Sequence, residues 1–245
     1  MKRLFGTLTI ILALGILIPP QASAGPFTFS FSDAQPNYWP GWGNGTGDDS
    51  KDHIGTPNLI GGTGVISGGG YLLSLNINYS HSAQITSIKP GDLFLDVDAD
   101  SEWDFIVRTL NANGSGNYGL YPVSIQLKGV NDSLYSLSNE HGWSGMNYRQ
   151  DHPVGVKDNA LGTQTGWVSF SGWTTNTGSH QVVFEFLNPV LLGSEFALGW
   201  GPNCANDMLL ARIDNPVPEP GTLLLLGAGL FGIAIFARKR LSPKS

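Results

Sequence analysis

Short runs in which apolar and polar residues alternate recur along the chain between residues 25 and 215. In the first run, Phe27, Phe29 and Phe31 are separated by small hydroxyl residues. Because successive side chains of a β-strand point to opposite faces, this run predicts a strand with one buried face. Similar runs occupy residues 71–79, 83–88, 93–97, 103–110, 121–128, 134–138, 167–171, 181–187, 195–200 and 208–213.

The spacing of these runs predicts an all-β fold for residues 25–215, which we interpret as one ectodomain. Gly, Asn and Asp separate the runs, and no stretch of ten residues in this part keeps helical spacing. Many short strands with such turns are typical of an antiparallel β-sandwich or a jelly-roll-like fold. Residues 33–70 and 139–166 lack a sustained pattern, so we predict that both are long loops.

The first 24 residues have the three parts of a secretory signal peptide. Two basic residues, Lys2 and Arg3, precede an apolar run over residues 4–18, and the segment ends in Ala22-Ser23-Ala24. Signal peptides combine a basic start, an apolar centre and a small-residue cleavage site. We therefore predict that residues 1–24 are removed, with cleavage after Ala24.

The other end of the chain has the features of a membrane anchor. Residues 222–237 form an apolar run, and a basic cluster of Arg238, Lys239 and Arg240 follows it. At about 1.5 Å per residue, a helix over this run is just long enough to cross a thin bilayer. Basic residues stay on the cytoplasmic side, so we predict one transmembrane helix with the body outside.

A proline-containing motif, Pro218-Glu219-Pro220, lies directly before this run. In this order, the motif, the apolar helix and the basic cluster resemble the C-terminal sorting region of PEP-CTERM proteins, which are exported by bacteria that make extracellular polysaccharide. The resemblance implies that residues 216–245 are a sorting region. It also implies that an exosortase-type membrane protease recognises the motif and detaches the body. The alternative is an ordinary single-pass anchor with a proline-rich linker.

The body is acidic, which excludes several classes of partner. The whole chain has 13 Lys and Arg against 19 Asp and Glu; residues 25–217 contain 7 basic and 18 acidic residues, a net charge of −11. Nucleic-acid binders need clustered basic residues to displace counterions from phosphates. The balance therefore argues against nucleic acids and also against anionic lipid headgroups.

One acidic run has the spacing of a cation site. Carboxylates alternate with other residues in the segment that follows the run at 93–97; they are Asp96, Asp98, Asp100, Glu102 and Asp104. Oxygen ligands at alternate loop positions suit calcium, which takes 6 to 8 of them. Ser101 and Val107 stand where an EF-hand needs Gly and Glu, so an EF-hand is excluded. The alternative is a β-hairpin whose turn carries solvated aspartates.

Aromatic residues in the two predicted loops suggest a carbohydrate-binding surface. The candidates are Trp39, Trp42, Trp143 and Tyr148. An aromatic face stacks on a sugar ring as it does on other flat apolar surfaces, and nearby Asp and Asn can bond hydroxyl groups. We expect Trp103, Trp167 and Trp200, by contrast, to fill the core.

The sequence contains no recognisable catalytic motif, so we predict that the protein is not an enzyme. Its five histidines are scattered and lack the helical pairing of zinc proteases, and no nucleophile elbow is present. A metal or acid–base cluster around His141 and His152, and a glycan hydrolase built on loop carboxylates, are the alternatives.

The single cysteine, Cys204, excludes an intramolecular disulfide. It lies in residues 200–207, a Trp-to-Cys-x-Asn-Asp segment similar to one that recurs before the anchor in PEP-CTERM bodies. We predict a buried, unreactive thiol, with an intermolecular disulfide or lipid attachment as the alternatives.

Together these features predict an exported, non-enzymatic protein of the cell surface or extracellular matrix. It would pass through a single-pass intermediate in the inner membrane, be processed at the Pro218–Glu219–Pro220 motif and associate with extracellular polysaccharide. The first alternative is a calcium-assisted carbohydrate-binding module, with Asp96, Asp98, Asp100 and Asp104 as the metal candidates; the second is a glycan-modifying hydrolase.

Overall fold

A computed structural model describes residues 25–33, 55–110, 112–126, 134–136, 153–215 and 229–230. Residues Pro26–Pro216 form one compact unit. The described strands are β1 (Phe27–Ser32), β2 (Asn58–Ile66), β3 (Tyr71–His81), β4 (Leu93–Asp96), β5 (Glu102–Val107), β6 (Gly116–Gln126), β7 (Leu134–Ser136), β8 (Pro153–Val156), β9 (Gly166–Ser171), β10 (Gly178–Leu191), β11 (Glu195–Trp200) and β12 (Leu209–Asp214). A short 3-10 turn covers Asp158–Ala160.

Ten of these strands form one antiparallel sheet that nearly closes on itself. Their order is β1-β2-β3-β10-β9-β6-β5-β4-β11-β12, and β7 pairs with β8 separately. The two edge strands contact each other, and the ring of Phe29 on β1 packs edge-on against Phe196 on β11 at 5.4 Å. The predicted all-β antiparallel fold is confirmed. Instead of the two stacked sheets of a sandwich, one sheet curls around the main core.

Strand β2 corrects the prediction of a loop over residues 33–70. Its glycines hid the strand pattern, but they are needed because aromatic rings of β1 and the backbone of β3 lie against them. A Cβ on Gly64 would overlap the ring of Phe29, and one on Gly62 would overlap the backbone carbonyl of Asn76 on β3 and lie 2.9 Å from the ring of Phe31. Gly61 has a φ of 112° where the pairing register with β3 shifts. Glycine here permits close packing and a bulge.

Two further local predictions are wrong. Residues 83–88 form turns instead of a strand, because only Ile88 in this stretch is buried and it has no run of apolar neighbours on the same face. Within the second predicted loop, residues 153–156 form β8. Val154 and Val156 of this strand are buried, and the carbonyl of Val154 accepts a hydrogen bond from the amide of Asp92.

The β4–β5 part of the sheet is buried on both faces. Leu93, Leu95 and Val107 face the main core. Phe94 and Trp103 face a second cluster, which β8 and the residues before β12 complete. A strand with both faces covered is apolar at consecutive positions, as Leu93-Phe94-Leu95 is. This burial holds the end of the hairpin rigidly in place.

The tryptophans divide between the core and the surface. Trp103 and Trp200 have no exposed surface, as expected from the sequence, but Trp167 is 49% exposed. The prediction of a core position for Trp167 is wrong because it alternates with Val168, and it is Val168 that faces the core.

Several predicted features lie outside the described residues. They are the signal peptide over residues 1–24, the motif Pro218, Glu219 and Pro220, the basic cluster Arg238, Lys239 and Arg240, and all of the 222–237 run except Gly229 and Leu230. The part of the chain that the structure describes contains no helix with the length and apolar character needed to cross a membrane.

Candidate functional site

The hairpin of β4 and β5 brings the acidic residues of its turn together. Leu93 pairs with Val107 and Leu95 with Phe105, so the β-hairpin that the sequence offered as the alternative interpretation of this segment is present. In the turn, Ala99 and Ser101 have φ values of 58° and 77°. Two left-handed residues curl the backbone tightly. The turn therefore folds over the space between the end of β4 and the start of β5.

Three of the four predicted metal ligands meet in this space. One carboxylate oxygen from each of Asp96, Asp98 and Asp104 lies within 4.8 Å of those of the other two. Asp96 is fully buried, Asp104 is partly buried and Asp98 is exposed. The fourth candidate, Asp100, is exposed, and its Oδ1 accepts a hydrogen bond of 2.8 Å from the amide of Glu102. Asp100 thus stabilises the turn and is not part of the group.

Backbone amides satisfy only part of this cluster. Oδ2 of Asp104 accepts a hydrogen bond of 2.8 Å from the amide of Val97, and Oδ2 of Asp96 accepts one of 3.1 Å from the amide of Ser101. Oδ1 of Asp96 is buried and has no hydrogen-bond partner among the described residues. A buried carboxylate oxygen without a partner is costly.

The electrostatics of the cluster disfavour three negative charges. The pKa of Asp104 is raised to about 6: burial is the largest cause, the Val97 amide opposes it, and the carboxylates of Asp98, Asp96 and Asp100 add to the rise. Burial also raises the pKa of Asp96; the amide of Ser101 opposes this rise, the carboxylate of Asp100 adds to it, and the amides of Ala99 and Asp98 oppose it more weakly. Either protons or a cation can neutralise such a group.

Residues 203–207, around the single cysteine, fasten the start of β2. The side-chain amide of Asn206 donates a hydrogen bond of 2.7 Å to the carbonyl of Thr56. Oδ2 of Asp207, which has no exposed surface, accepts a hydrogen bond from the amide of Leu59. Leu59 and Asp207 are 148 positions apart in sequence, and Thr56 and Asn206 are 150 apart. The segment therefore links two parts of the chain that are distant in sequence.

The same segment is also tied to the residues before β4. Asn203 exchanges two hydrogen bonds with Lys89: its amide donates to the Lys89 carbonyl at 2.8 Å, and its Oδ1 accepts from the Lys89 amide at 2.9 Å. Cys204 is partly exposed and not disulfide-bonded, so the predicted full burial of the thiol is not observed. The asparagines and the aspartate of this segment therefore have a structural role, which the sequence alone did not indicate.

Two histidines that are far apart in sequence lie side by side. Because Tyr79 on β3 pairs with His180 on β10, the rings of His180 and His81 are 6.3 Å apart, and Trp173 stacks on Tyr79 at 5.1 Å. His81 is almost fully buried, with its Nδ1 3.2 Å from Oγ1 of Thr56. Burial lowers the pKa of His81, and the electrostatic effect of the neighbouring His180 lowers it further.

An apolar strip lies on the outer face of the sheet. Leu191 on β10 is directly paired with Tyr71 on β3, and these two side chains are 56% and 44% exposed. Trp167 on the neighbouring strand β9 and Leu187, which is also on β10, are exposed as well. We call these four residues the outer apolar strip. The loop aromatics predicted to bind glycans, Trp39, Trp42, Trp143 and Tyr148, lie outside the described residues.

Comparison with known proteins identifies the C-terminal region. A family model described as the PEP-CTERM protein-sorting motif matches residues 216–240. No curated protein and no solved structure matches the chain. The motif indicates an exported protein with a C-terminal sorting signal that an exosortase, a membrane protein, processes.

Proposed function

Because the chain is a PEP-CTERM protein, with its sorting motif at residues 216–240, we propose that it is a non-enzymatic component of the cell surface or extracellular matrix. In this proposal the signal peptide directs export, and the helix over residues 222–237 holds the protein in the inner membrane. Cleavage at the motif then releases the body, which associates with extracellular polysaccharide. The match to the sorting motif is the observation that carries the proposal.

The chemistry of the motif suits a protease site. Pro218 and Pro220 cannot continue a helix, and each favours an extended conformation for the residue before it. An extended backbone just outside the bilayer is the form that a protease binds. Glu219 adds a charge that would keep this stretch in water. The motif would therefore remain accessible while the following run is inserted in the membrane.

The body has surface features that suit a carbohydrate partner. Its net charge of −11 disfavours phosphate-rich partners, while the outer apolar strip presents the aromatic rings of Trp167 and Tyr71. Exposed aromatic rings offer flat apolar surfaces on which sugar rings can stack. These features support polysaccharide as the partner.

The arrangement of the described carboxylates supports a non-enzymatic role. Glycoside hydrolases place two carboxyl groups on either side of the scissile bond, about 5 to 9.5 Å apart. Here Asp96, Asp98 and Asp104 share one turn and converge on one point. A convergent group of this kind suits binding better than acid–base catalysis.

The proposal is tested by the mass of the protein recovered from its host. We expect an extracellular form that begins at Gly25 and ends near Pro218, and a membrane form that retains residues 238–245. A Glu219→Ala variant should accumulate in the membrane form. Asp214→Ala removes the same charge five residues earlier, outside the motif, and should be released normally. Release of Glu219→Ala at the rate of the unaltered protein would overturn the sorting role of the motif.

A further inference from the structure

We propose that Asp96, Asp98 and Asp104 bind one calcium ion at the turn between β4 and β5. This site is separate from the sorting motif and from the outer apolar strip, so it stands or falls independently of the proposed function. It would be a structural cation site in the exported body.

The strongest support comes from the buried oxygen of Asp96. Asp96 has no exposed surface, and its Oδ1 has no hydrogen-bond partner among the described residues. Polar groups buried in folded proteins are nearly always hydrogen-bonded or bound to an ion. The cation that we propose lies among the carboxylates of Asp96, Asp98 and Asp104 and supplies this missing partner.

The distances between the carboxylates suit calcium. The three oxygens lie within 4.8 Å of one another. Ligands of calcium lie about 2.3–2.6 Å from the ion, so two of them can be at most about 5 Å apart. The spacing of the three carboxylates is therefore close to that of ligands sharing one calcium ion.

The ligand types also distinguish calcium from other metals. The cluster offers carboxylates and no histidine or cysteine, which disfavours zinc and other metals that prefer nitrogen or sulfur. Calcium accepts irregular geometry with 6 to 8 oxygens, whereas magnesium requires a near-ideal octahedron. Asp98 is exposed, so water can complete the coordination from the open side.

A bound ion would stabilise more than the hairpin. The carbonyl of Val97, next to Asp96, accepts a hydrogen bond of 2.7 Å from the amide of Gly193, between β10 and β11. Arg212 on β12 donates a hydrogen bond of 3.1 Å to the hydroxyl of Ser101 in the same turn. Fixing this turn would therefore also support two neighbouring parts of the sheet.

Calcium titration of the full chain, purified in detergent and freed of metal with a chelator, tests the site. We expect saturable binding of one ion and an unfolding temperature that rises with calcium concentration. Extracellular calcium modules bind with dissociation constants of about 10⁻⁴–10⁻³ M, and we expect this range. Magnesium should bind at least about tenfold more weakly.

Asp98→Asn is the decisive variant, because Asp98 is exposed and its loss should leave the fold intact. We expect calcium affinity to fall at least about tenfold, as for the loss of a charged ligand. Asp100→Asn removes a charge from the same turn without removing a ligand, and its affinity should stay within about threefold. Near-ultraviolet circular dichroism without calcium checks that both variants fold.

Two results would overturn the proposal. The first is the absence of any calcium-dependent heat or thermal shift in the unaltered chain at millimolar calcium. In that case protons would neutralise the cluster. The second is equal loss of affinity in Asp98→Asn and Asp100→Asn, which would mean that calcium responds only to the general negative charge of the turn.

Discussion

Arg108 forms a salt bridge of 2.7 Å with Asp92, a carboxylate that has no exposed surface. Oδ2 of Asp92 also accepts a hydrogen bond of 3.0 Å from the amide of Val156, and its Oδ1 accepts one of 2.8 Å from the amide of Leu110. Burial raises the pKa of Asp92, while Arg108 and the two amides oppose that rise. This buried pair therefore fastens β8 to the base of the β4–β5 hairpin, at the end opposite the acidic turn.

Arg108→Met is expected to destabilise the body strongly. Among the described residues, Arg108 is the only charged partner of the fully buried carboxylate of Asp92, and the substitution removes it. Breaking a buried ion pair in this way costs about 3–5 kcal/mol. Since Arg108 is partly exposed, we expect the lower end, about 3 kcal/mol, measured by urea unfolding. The loss should shrink as the pH falls, because a protonated Asp92 no longer needs a cation.

Asp158→Asn provides a matched control for this prediction. Asp158 bonds to the same guanidinium at 2.8 Å, but its side chain is 82% exposed. Exposed ion pairs contribute about 0–1 kcal/mol, so this variant should unfold almost as the unaltered protein does. Equal losses of stability in Arg108→Met and Asp158→Asn would mean that the burial of Asp92 does not set the strength of this pair.

The Asp92–Arg108 pair could have been predicted from the sequence, whereas the membership of the acidic cluster could not. Once Leu93 is paired with Val107, residues 92 and 108 are the next neighbours across the hairpin. Opposite charges at such positions attract. In the acidic run, alternate spacing treats all the aspartates alike. In the structure, the turn that leaves Asp100 outside the cluster of Asp96, Asp98 and Asp104 contains two left-handed residues, Ala99 and Ser101. The local sequence does not predict these left-handed conformations.

Long-range packing explains the other differences between prediction and structure. The sequence does not reveal strand β2, because its glycines are explained only by the close approach of the β1 phenylalanines and of the β3 backbone. Strand β8 is short, and the residue that ties it to the main sheet, Asp92, is far away in sequence. Alternation does reveal that each strand has two faces. It does not show which face of a strand is covered by the core. For this reason the pattern of β9 does not reveal that Trp167 faces solvent while Val168 is buried.

Asp207→Ala is expected to lower the free energy of unfolding by about 2–3 kcal/mol. The substitution removes a buried carboxylate that accepts a hydrogen bond from the amide of Leu59, and losing the partner of a buried donor costs about 1–3 kcal/mol, more when the acceptor is charged. Cys204→Ser, three residues earlier and partly exposed, should change stability by less than about 1 kcal/mol. Chemical denaturation of both variants decides whether the polar residues or the thiol give this segment its role.

His81 should contribute a loss of stability to the body as the pH decreases from 7 to 5, whereas Asp104, whose pKa is raised to about 6, should contribute in the opposite direction. The folded pKa of His81 is lowered by burial and by His180, so below the ordinary value of about 6.5 the unfolded chain binds a proton that the native protein does not. One such group contributes up to about 1.4 kcal/mol per pH unit. In His81→Gln this part of the slope should disappear. If the slope in this pH range were unchanged by the substitution, His81 would not be its source.

Trp167→Ala should weaken retention of the body on extracellular polysaccharide without weakening the fold. Trp167 is half-exposed, and substitution of such a residue usually changes stability by no more than about 0.5–1 kcal/mol. If its ring stacks on sugar, losing it should weaken binding by about 3- to 10-fold, corresponding to the 0.5–1.5 kcal/mol range of aromatic contacts. Leu187→Ala removes a neighbouring apolar side chain that is 55% exposed and cannot stack. Co-sedimentation with polysaccharide from the host distinguishes the two: equal losses would indicate a general apolar contact, whereas a loss confined to Trp167→Ala would indicate recognition of the sugar by the indole ring.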